Sequence, residues 1–306
     1  MRSSELQTLI DIIPDNFADP GADYQAVGEM MAPFHGHPLL EGTTAETLSL
    51  DGVKTGHIWD AGSQDSHAII LHFHGGAFVS CSLDAYLFYG EIITQRLGAQ
   101  VMIPDYRLAP EQPYPAAHDD CFNAYKGLIE SGIDPARICV MGESCGGSLA
   151  IGTLLQARDQ GLAMPACFVS LTGWFDLSVS GQEFEERDPF LTADWVRNRA
   201  TDYLAGKVDH RDQRVSPAFA DLTGLPPMYL QLAQYDTVRE GVIQLAANAV
   251  RDGVEVTLES WPGLIHGWHG LVNAGVPEAE LAWTRIRAYV ERRCNKRDST
   301  KSTAND

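Results

Sequence analysis

The residues of this chain best placed to do chemistry surround a single serine. Ser144 lies at the centre of a G-x-S-x-G pattern over residues 142–146. An apolar run at residues 138–141 precedes the pattern, and small and aliphatic residues follow it at 148–155. This order predicts a buried strand that turns at once into a helix, with the serine hydroxyl projecting from the turn. The pattern therefore indicates a nucleophile.

A serine hydroxyl attacks a carbonyl only when a base takes its proton and an acid orients that base. Asp236 ends a predicted strand and is the favoured acid, whereas Glu240 falls inside the following helix. His266 lies just beyond the last predicted strand and is the favoured base, while the neighbouring His269 suits a packing role at a helix start. The chain order Ser144, acid, base is the order expected with a strand–turn–helix nucleophile.

Backbone N–H groups must also stabilise the oxyanion that forms during acyl transfer. Gly75 and Gly76 follow an apolar run, where glycines expose their amides without side-chain obstruction. Together with the amide of Cys145, the residue after the nucleophile, they form the predicted oxyanion hole. This chemistry uses only side chains and amides, and the six cysteines have no metal-ligand spacing. We therefore expect no cofactor and no metal.

The elements that must position these residues alternate along the chain. A hairpin signal at residues 47–59 turns around Asp51 and Gly52. Further predicted strands are residues 68–74, 100–104, 138–141, 167–171, 228–232 and 254–258. Predicted helices are residues 86–97, 116–129, 145–157, 193–204, 238–251 and 277–292. This alternation predicts an α/β fold with one eight-stranded, mostly parallel sheet and helices on both faces.

Two segments fall outside the alternation. Residues 1–43 have helical periodicity without strong strands, and residues 175–215 are charged and aromatic. Both are expected to form a helical cap over the carboxyl edge of the sheet, where ligands bind in open α/β folds. The catalytic core is then residues 44–174 and 216–294, and the polar tail 295–306 is expected to be disordered.

Aromatic side chains near these segments suggest an apolar substrate pocket. For each of them taken alone, packing in the core is the alternative interpretation. The candidate pocket residues are Phe78, Phe190, Trp195, Tyr203 and Trp268.

The charge of the chain limits its partners. Its 306 residues include 22 Lys and Arg and 41 Asp and Glu, for a net charge of −19. Such a field repels phosphate backbones and anionic lipid surfaces, so we expect no nucleic-acid or membrane partner. The sequence has no signal-peptide pattern and no apolar run near the length of a membrane span, and its cysteines are scattered. These features predict a cytoplasmic protein with free thiols, and they leave a homodimer open.

Motifs between residues 45 and 292 resemble those of bacterial hormone-sensitive-lipase-like carboxylesterases, the α/β-hydrolase fold-3 group. The matches are H-G-G-x-[FWY] at 74–78, Y-R-L-A-P-E-x-P-x-P-A-A-x-x-D at 106–120, D-P-x-R-I at 134–138, S-P at 216–217, L-P-P at 225–227 and H-G at 266–267. The resemblance implies an α/β-hydrolase fold with a cap built from the N-terminal segment and an insertion. It also implies Ser144 as nucleophile, His266 as base and Asp236 as the orienting acid.

The sequence departs from the family pattern at two places. Glu143 and Cys145 flank the nucleophile where Asp and Ala are usual, and Thr237 and Val238 follow the acid where Pro and Leu are usual. Cys145 could narrow the acyl pocket or simply pack in the core. Among close variants, the sequence is similar to monoterpene lactone hydrolases and acetyl esterases.

The leading hypothesis is a serine carboxylesterase that hydrolyses short- to medium-chain carboxylic esters through an acyl-enzyme intermediate. The partner would then be a small-molecule ester or lactone. A lactone hydrolase or an arylformamidase would use the same triad, and the residues do not separate these activities from an esterase. A non-catalytic small-molecule receptor on the same fold is the third interpretation, but it fits poorly with an intact serine, acid and base.

Overall fold

One eight-stranded sheet forms the centre of the computed structural model, which describes residues 2–13, 19, 21, 23–31, 38–180 and 188–294. The strands are β1 (Thr43–Leu50), β2 (Val53–Asp60), β3 (Ile69–Phe73), β4 (Gln100–Pro104), β5 (Ile138–Glu143), β6 (Cys167–Leu171), β7 (Met228–Tyr235) and β8 (Val256–Ile265). They are ordered β1-β2-β4-β3-β5-β6-β7-β8 across the sheet. Strand β2 pairs antiparallel with β1 and β4, and the remaining pairs are parallel. The predicted sheet is confirmed.

Eight α-helices accompany the sheet in the described residues. They are α1 (Ser4–Asp11), α2 (Tyr24–Met31), α3 (Leu83–Leu97), α4 (Ala116–Glu130), α5 (Cys145–Asp159), α6 (Ala193–Leu204), α7 (Arg239–Arg251) and α8 (Pro277–Cys294). Helices α4, α5 and α7 contribute to one hydrophobic core, and α3 and α8 contribute to a second. The central strands β3 and β6 are buried at every residue, as expected for parallel strands covered on both faces.

The last strand differs most from its prediction. It was expected over residues 254–258, but β8 continues to Ile265 and stays paired with β7 as far as Tyr235. Pro262 and Gly263 in this stretch resemble strand breakers, yet β8 is an edge strand, where a proline need not donate to a neighbour. A register shift between Ala233 and Tyr235 absorbs the irregularity. The extra length carries the chain directly to residue 266.

The two segments outside the alternation both contain α-helix, with α1 and α2 in the first and α6 in the second. Helix α1 lies against the C-terminal part of the chain, since the amide and hydroxyl of Ser3 both donate to Glu278 at 2.7 Å. Leu6 is fully buried there. Helix α6 forms over the predicted residues 193–204. The assignment of both segments to a cap stays a prediction, and the expected disorder of residues 295–306 lies outside the described residues.

All six cysteines are buried and unpaired. Burial raises the pKa of the thiols of Cys81 and Cys145 to about 12. Within the described part of the chain, no helix has both the length and the hydropathy that crossing a bilayer requires.

Candidate active site

The turn between β5 and α5 places Ser144 in a conformation that few residues adopt. Its backbone has φ 51° and ψ −124°, and the helix begins at the next residue. A Cβ atom at Gly146 would lie 2.0 Å from the carbonyl oxygen of Phe73, and one at Gly142 would lie 2.4 Å from that of Gly146. Only glycine fits at these two positions, so the strand and the helix can approach closely enough to project the serine from the turn.

The structure brings the three predicted triad residues together at the carboxyl ends of their strands. The Ser144 hydroxyl lies 3.0 Å from Nε2 of His266, and Nδ1 of His266 lies 3.0 Å from Oδ1 of Asp236. Asp236 is fully buried, and its Oδ1 also accepts the amide of Val238 at 3.0 Å. When Nδ1 donates to the carboxylate, Nε2 is left to accept from the serine hydroxyl. The arrangement can therefore move the serine proton to the imidazole.

Glu240 and His269, the alternative acid and base, form hydrogen bonds or ion pairs outside the triad. Glu240 lies in the first turn of α7 and forms an ion pair with Arg239 at 3.2 Å. His269 is buried, and its Nε2 lies 2.7 Å from Oε1 of Gln231. Both positions agree with the structural roles expected from the sequence.

Opposing effects act on the base. Burial lowers the pKa of His266, but the charge and hydrogen bond of Asp236 raise it, as do the charges of Asp188 and Glu143. The net result is a pKa raised to about 9. These charges thus stabilise the imidazolium, the form that His266 takes once it has accepted the serine proton.

Residues 74–78, which follow β3, form the loop expected to stabilise the oxyanion, and we call it the oxyanion loop. One residue of this loop does not fit its predicted role. The amide of Gly75 donates to the hydroxyl of Tyr86 at 3.1 Å, and that hydroxyl donates to Oε2 of Glu143 at 2.6 Å. This amide is already used, so Gly75 does not fit its predicted place in the oxyanion hole. Gly76 and Ala77 line the cavity beside the serine instead. Ala77 was not predicted, because its residue type does not signal the positive φ of 54° that its backbone adopts.

The side chain of Cys145 packs between the nucleophile turn and the oxyanion loop. Its sulfur accepts the amide of Phe78 at 3.3 Å, and the residue is fully buried. It does not line the cavity, so it does not narrow an acyl pocket. Its own amide, at the start of α5, directly follows Ser144 in the chain.

A mostly apolar cavity of about 240 Å³ opens beside Ser144 and His266. Of the predicted pocket aromatics, Phe190 and Trp195 line it. The other large side chains that line it are Tyr86, Phe88, Tyr89, Trp174, Leu191, Val196, Val238 and Leu271. Sequence reasoning missed these because they come from separate elements that only the folded chain brings together.

Three predicted pocket residues lie in the core instead. The rings of Phe78 and Tyr203 stack with centroids 4.0 Å apart and planes at 8°. Trp268 is fully buried, with its ring 3.9 Å from that of His269. None of the three is among the residues that line the cavity. For these residues the alternative of core packing is correct.

A second buried carboxylate near the triad was not anticipated. This carboxylate belongs to Asp188. One of its oxygens, one oxygen of Asp236 and one ring nitrogen of His266 all lie within 4.8 Å of one another. Such a group is close enough to hold a cation, but the contact between Asp236 and His266 is a hydrogen bond that a bound metal would have to replace. No sequence signal identified Asp188, since its neighbours in the chain do not reveal which part of the sheet it packs against.

Comparison with known proteins gives consistent matches. A family model described as alpha/beta hydrolase fold matches residues 70–270. An acetyl-hydrolase of Streptomyces hygroscopicus is 34% identical over 225 residues, which cover 72% of this chain and 75% of that protein. A crystal structure of an esterase from the bacterial hormone-sensitive lipase family is 31% identical with a TM-score of 0.86, over 96% of this chain and 99% of the other.

A second solved structure comes from a crystal that was soaked with an ester. A crystal of EstE5 soaked with p-nitrophenyl butyrate is 30% identical to this chain, with a TM-score of 0.88. The superposition covers 96% of this chain and 99% of the other. Each of these solved structures therefore resembles the protein over nearly its full length.

Proposed function

We propose catalytic roles and a substrate class for this chain, which belongs to the α/β-hydrolase fold family and, within it, to the bacterial hormone-sensitive-lipase group. The chain is a carboxylic ester hydrolase. The observation that carries the proposed roles is the hydrogen-bonded series Ser144, His266 and Asp236 beside an apolar cavity.

The first half of the reaction transfers the acyl group to the enzyme. Ser144 attacks the ester carbonyl while Nε2 of His266 takes its proton, and Asp236 keeps the imidazole oriented. The negative oxygen that forms is stabilised by the amides of Gly76, Ala77 and Cys145. When this intermediate collapses, the bond to the alcohol breaks, and the alcohol leaves with the proton from the imidazolium. An acyl-enzyme on the serine remains.

The second half repeats these steps with water. His266 takes a proton from water as the water oxygen attacks the acyl carbonyl, and the same amides stabilise the oxyanion. Collapse releases the carboxylic acid and returns the proton to Ser144. Side chains and backbone amides perform every step.

The substrate class follows from the size and lining of the cavity. Trp174 and Trp195 present large apolar surfaces, and a volume of about 240 Å³ suits a small substrate. These features support esters with short to medium acyl chains. Two of the compared proteins also point to short acyl groups. The relative from Streptomyces hygroscopicus is named an acetyl-hydrolase, and the EstE5 crystal was soaked with a butyrate ester.

The first test compares wild type with Ser144→Ala on p-nitrophenyl esters from acetate to dodecanoate. We expect the short esters to be turned over fastest and Ser144→Ala to reduce kcat by at least about 10⁴-fold, since no other group attacks the carbonyl. Ser49→Ala is the matched control, because this serine is exposed on the edge strand β1. Its activity should equal that of wild type.

The same panel separates the related activities when a lactone and an arylformamide are added. If wild type cleaves none of the esters but cleaves the lactone or the arylformamide, its activity is that of a lactone hydrolase or an arylformamidase. Binding without turnover of any compound by folded wild type would favour the receptor. Full activity in Ser144→Ala would contradict the proposed nucleophile.

A further inference from the structure

Asp188 is fixed in place by backbone amides from two parts of the chain. Its Oδ1 accepts the amides of Phe190 at 2.9 Å and Leu191 at 3.3 Å, and its Oδ2 accepts that of Thr237 at 3.2 Å. The hydroxyl of Thr237 donates in turn to the carbonyl of Leu191 at 2.6 Å. Asp188 is 6% exposed. These contacts hold its carboxylate against the loop that follows β7.

The carboxylate of Asp236 has an unused oxygen in this region. Its Oδ1 accepts from both His266 and Val238, whereas its buried Oδ2 has no hydrogen-bond partner among the described residues. One oxygen from each carboxylate and one nitrogen of His266 lie within 4.8 Å of one another. The base therefore faces two buried carboxylates and not one.

Two buried negative charges this close repel each other unless a cation lies between them. In the proposed reaction, His266 becomes such a cation each time it takes a proton. We propose that Asp188 is a positioning residue for ester hydrolysis, whose negative charge joins that of Asp236 to strengthen His266 as a base and to stabilise its imidazolium form. This inference rests on the roles proposed above for Asp236 and His266.

The other titratable groups that face His266 do not replace this charge. Glu143 comes from the end of β5 and shares its carboxylate with the hydroxyl of Tyr86 at 2.6 Å. His269, in the turn after β8, is buried, and desolvation lowers its pKa to about 3, so it stays neutral. Burial and the charge of Asp236 raise the pKa of Asp188 to about 7. Asp188 is thus ionised above neutral pH, where its charge acts on His266.

The test is the pH dependence of kcat/KM in Asp188→Asn, with p-nitrophenyl butyrate corrected for spontaneous hydrolysis. An anion near an imidazole favours the protonated imidazole, so removing the anion lowers the pH at which the base becomes neutral. We expect the midpoint of the acid limb to move down by about one pH unit or more, with a lower plateau in kcat. An unmoved midpoint would overturn the proposal.

Two further variants separate charge from structure. Asp188→Glu keeps the charge and should restore a midpoint near that of wild type. Asp176→Asn removes another buried carboxylate of the same segment, one that accepts the amides of Ser178 and Ser180. The carboxylates whose charges act most strongly on His266 are Asp236, Asp188 and Glu143, and Asp176 is not one of these three. We expect Asp176→Asn to weaken the loop and to leave the midpoint of the acid limb of kcat/KM unchanged. A shift of that midpoint equal to the shift in Asp188→Asn would contradict the inference.

A measurement on wild type keeps the inference testable if Asp188→Asn does not fold. The ring of His266 and the side-chain carboxyl of Asp188 are followed by NMR across the same pH range. Coupled groups titrate in shared steps, so the ring curve should have a second inflection where the carboxyl titrates. A ring curve with one step would overturn the proposal. Loss of all turnover in Ser144→Ala, by contrast, tests only the nucleophile and is independent of this result.

Discussion

The imidazole of His266 illustrates how one residue depends on several parts of the chain. Burial alone would make it a weak base, because a buried cation loses its hydration. Carboxylates that arrive from the end of β5, from the loop after β7 and from the 175–215 segment reverse this effect and raise its pKa to about 9. The strength of the base is thus a property of its surroundings.

This raised pKa gives an expectation for the wild-type enzyme. The base must be neutral to accept the serine proton, so kcat/KM should increase with pH, reach half its maximum near the pKa of about 9 of His266, and level off only above that pH. The sequence, read with the ordinary pKa of histidine, predicts a loss of rate only below about pH 6.5. A pH–rate profile on a neutral ester decides between them, since a plateau already reached at pH 7 would contradict the higher value.

At this scale, residue types and spacing were enough to select Ser144, Asp236 and His266 as candidates, and the structure joins these three by hydrogen bonds. They were not enough for the oxyanion loop, because the use of the Gly75 amide depends on the hydroxyl of Tyr86, which another element supplies. Asp188 was missed for the same reason. Its function would come from contacts across the sheet edge, and a sequence records no such contacts.

At the scale of elements, the junction of β5 and α5 is tightly constrained. The close approach of strand and helix leaves no volume at Gly146, whereas a Cβ atom at Gly28 in α2 would meet no atom of the described residues within 4 Å. These two glycines therefore form a matched pair for testing the junction.

We expect Gly146→Ala to destabilise the protein by about 3 kcal/mol or more, because the added methyl group would overlap the carbonyl oxygen of Phe73. Gly28→Ala should leave stability unchanged or increase it by up to about 1 kcal/mol, since alanine is the better helix former. Urea unfolding of both variants measures the difference. Equal stability of the two variants would contradict the constraint at the junction.

Strands and helices with a strong apolar pattern were predicted well from the sequence. The residues at which elements begin and end were predicted less accurately. Strand β6 begins and ends where the apolar run 167–171 does, because it is buried on both faces. Strand β8 is half exposed at the sheet edge, so its residues carry a weaker pattern and its end was misplaced. Helix α3 begins at Leu83, ahead of the predicted residue 86, because the Ser82 side chain caps it by accepting the amide of Ala85.

For the whole molecule, the net charge of −19 creates a field that acts on every charged substrate before it reaches the cavity. Cationic esters should be attracted and anionic esters repelled, and dissolved salt should weaken both effects. Neutral esters should be indifferent to this field.

We therefore expect kcat/KM for a choline-type ester to decrease as ionic strength rises from about 10 to 300 mM. For an ester that carries a free carboxylate, kcat/KM should increase over the same range. A neutral ester with a similar acyl group is the control. The same salt response for all three esters would show that the field does not steer substrates.

The burial of the six thiols has a consequence for the lifetime of the enzyme. Folded molecules keep all six thiols largely away from oxidants, and the raised pKa values of Cys81 and Cys145 keep these two uncharged and slow to react. A molecule that unfolds even briefly exposes all six at once, and mispaired disulfides then prevent refolding. We therefore expect unfolding in aerated solution to become permanent inactivation, so that the shelf life of the enzyme is set by how often each molecule opens.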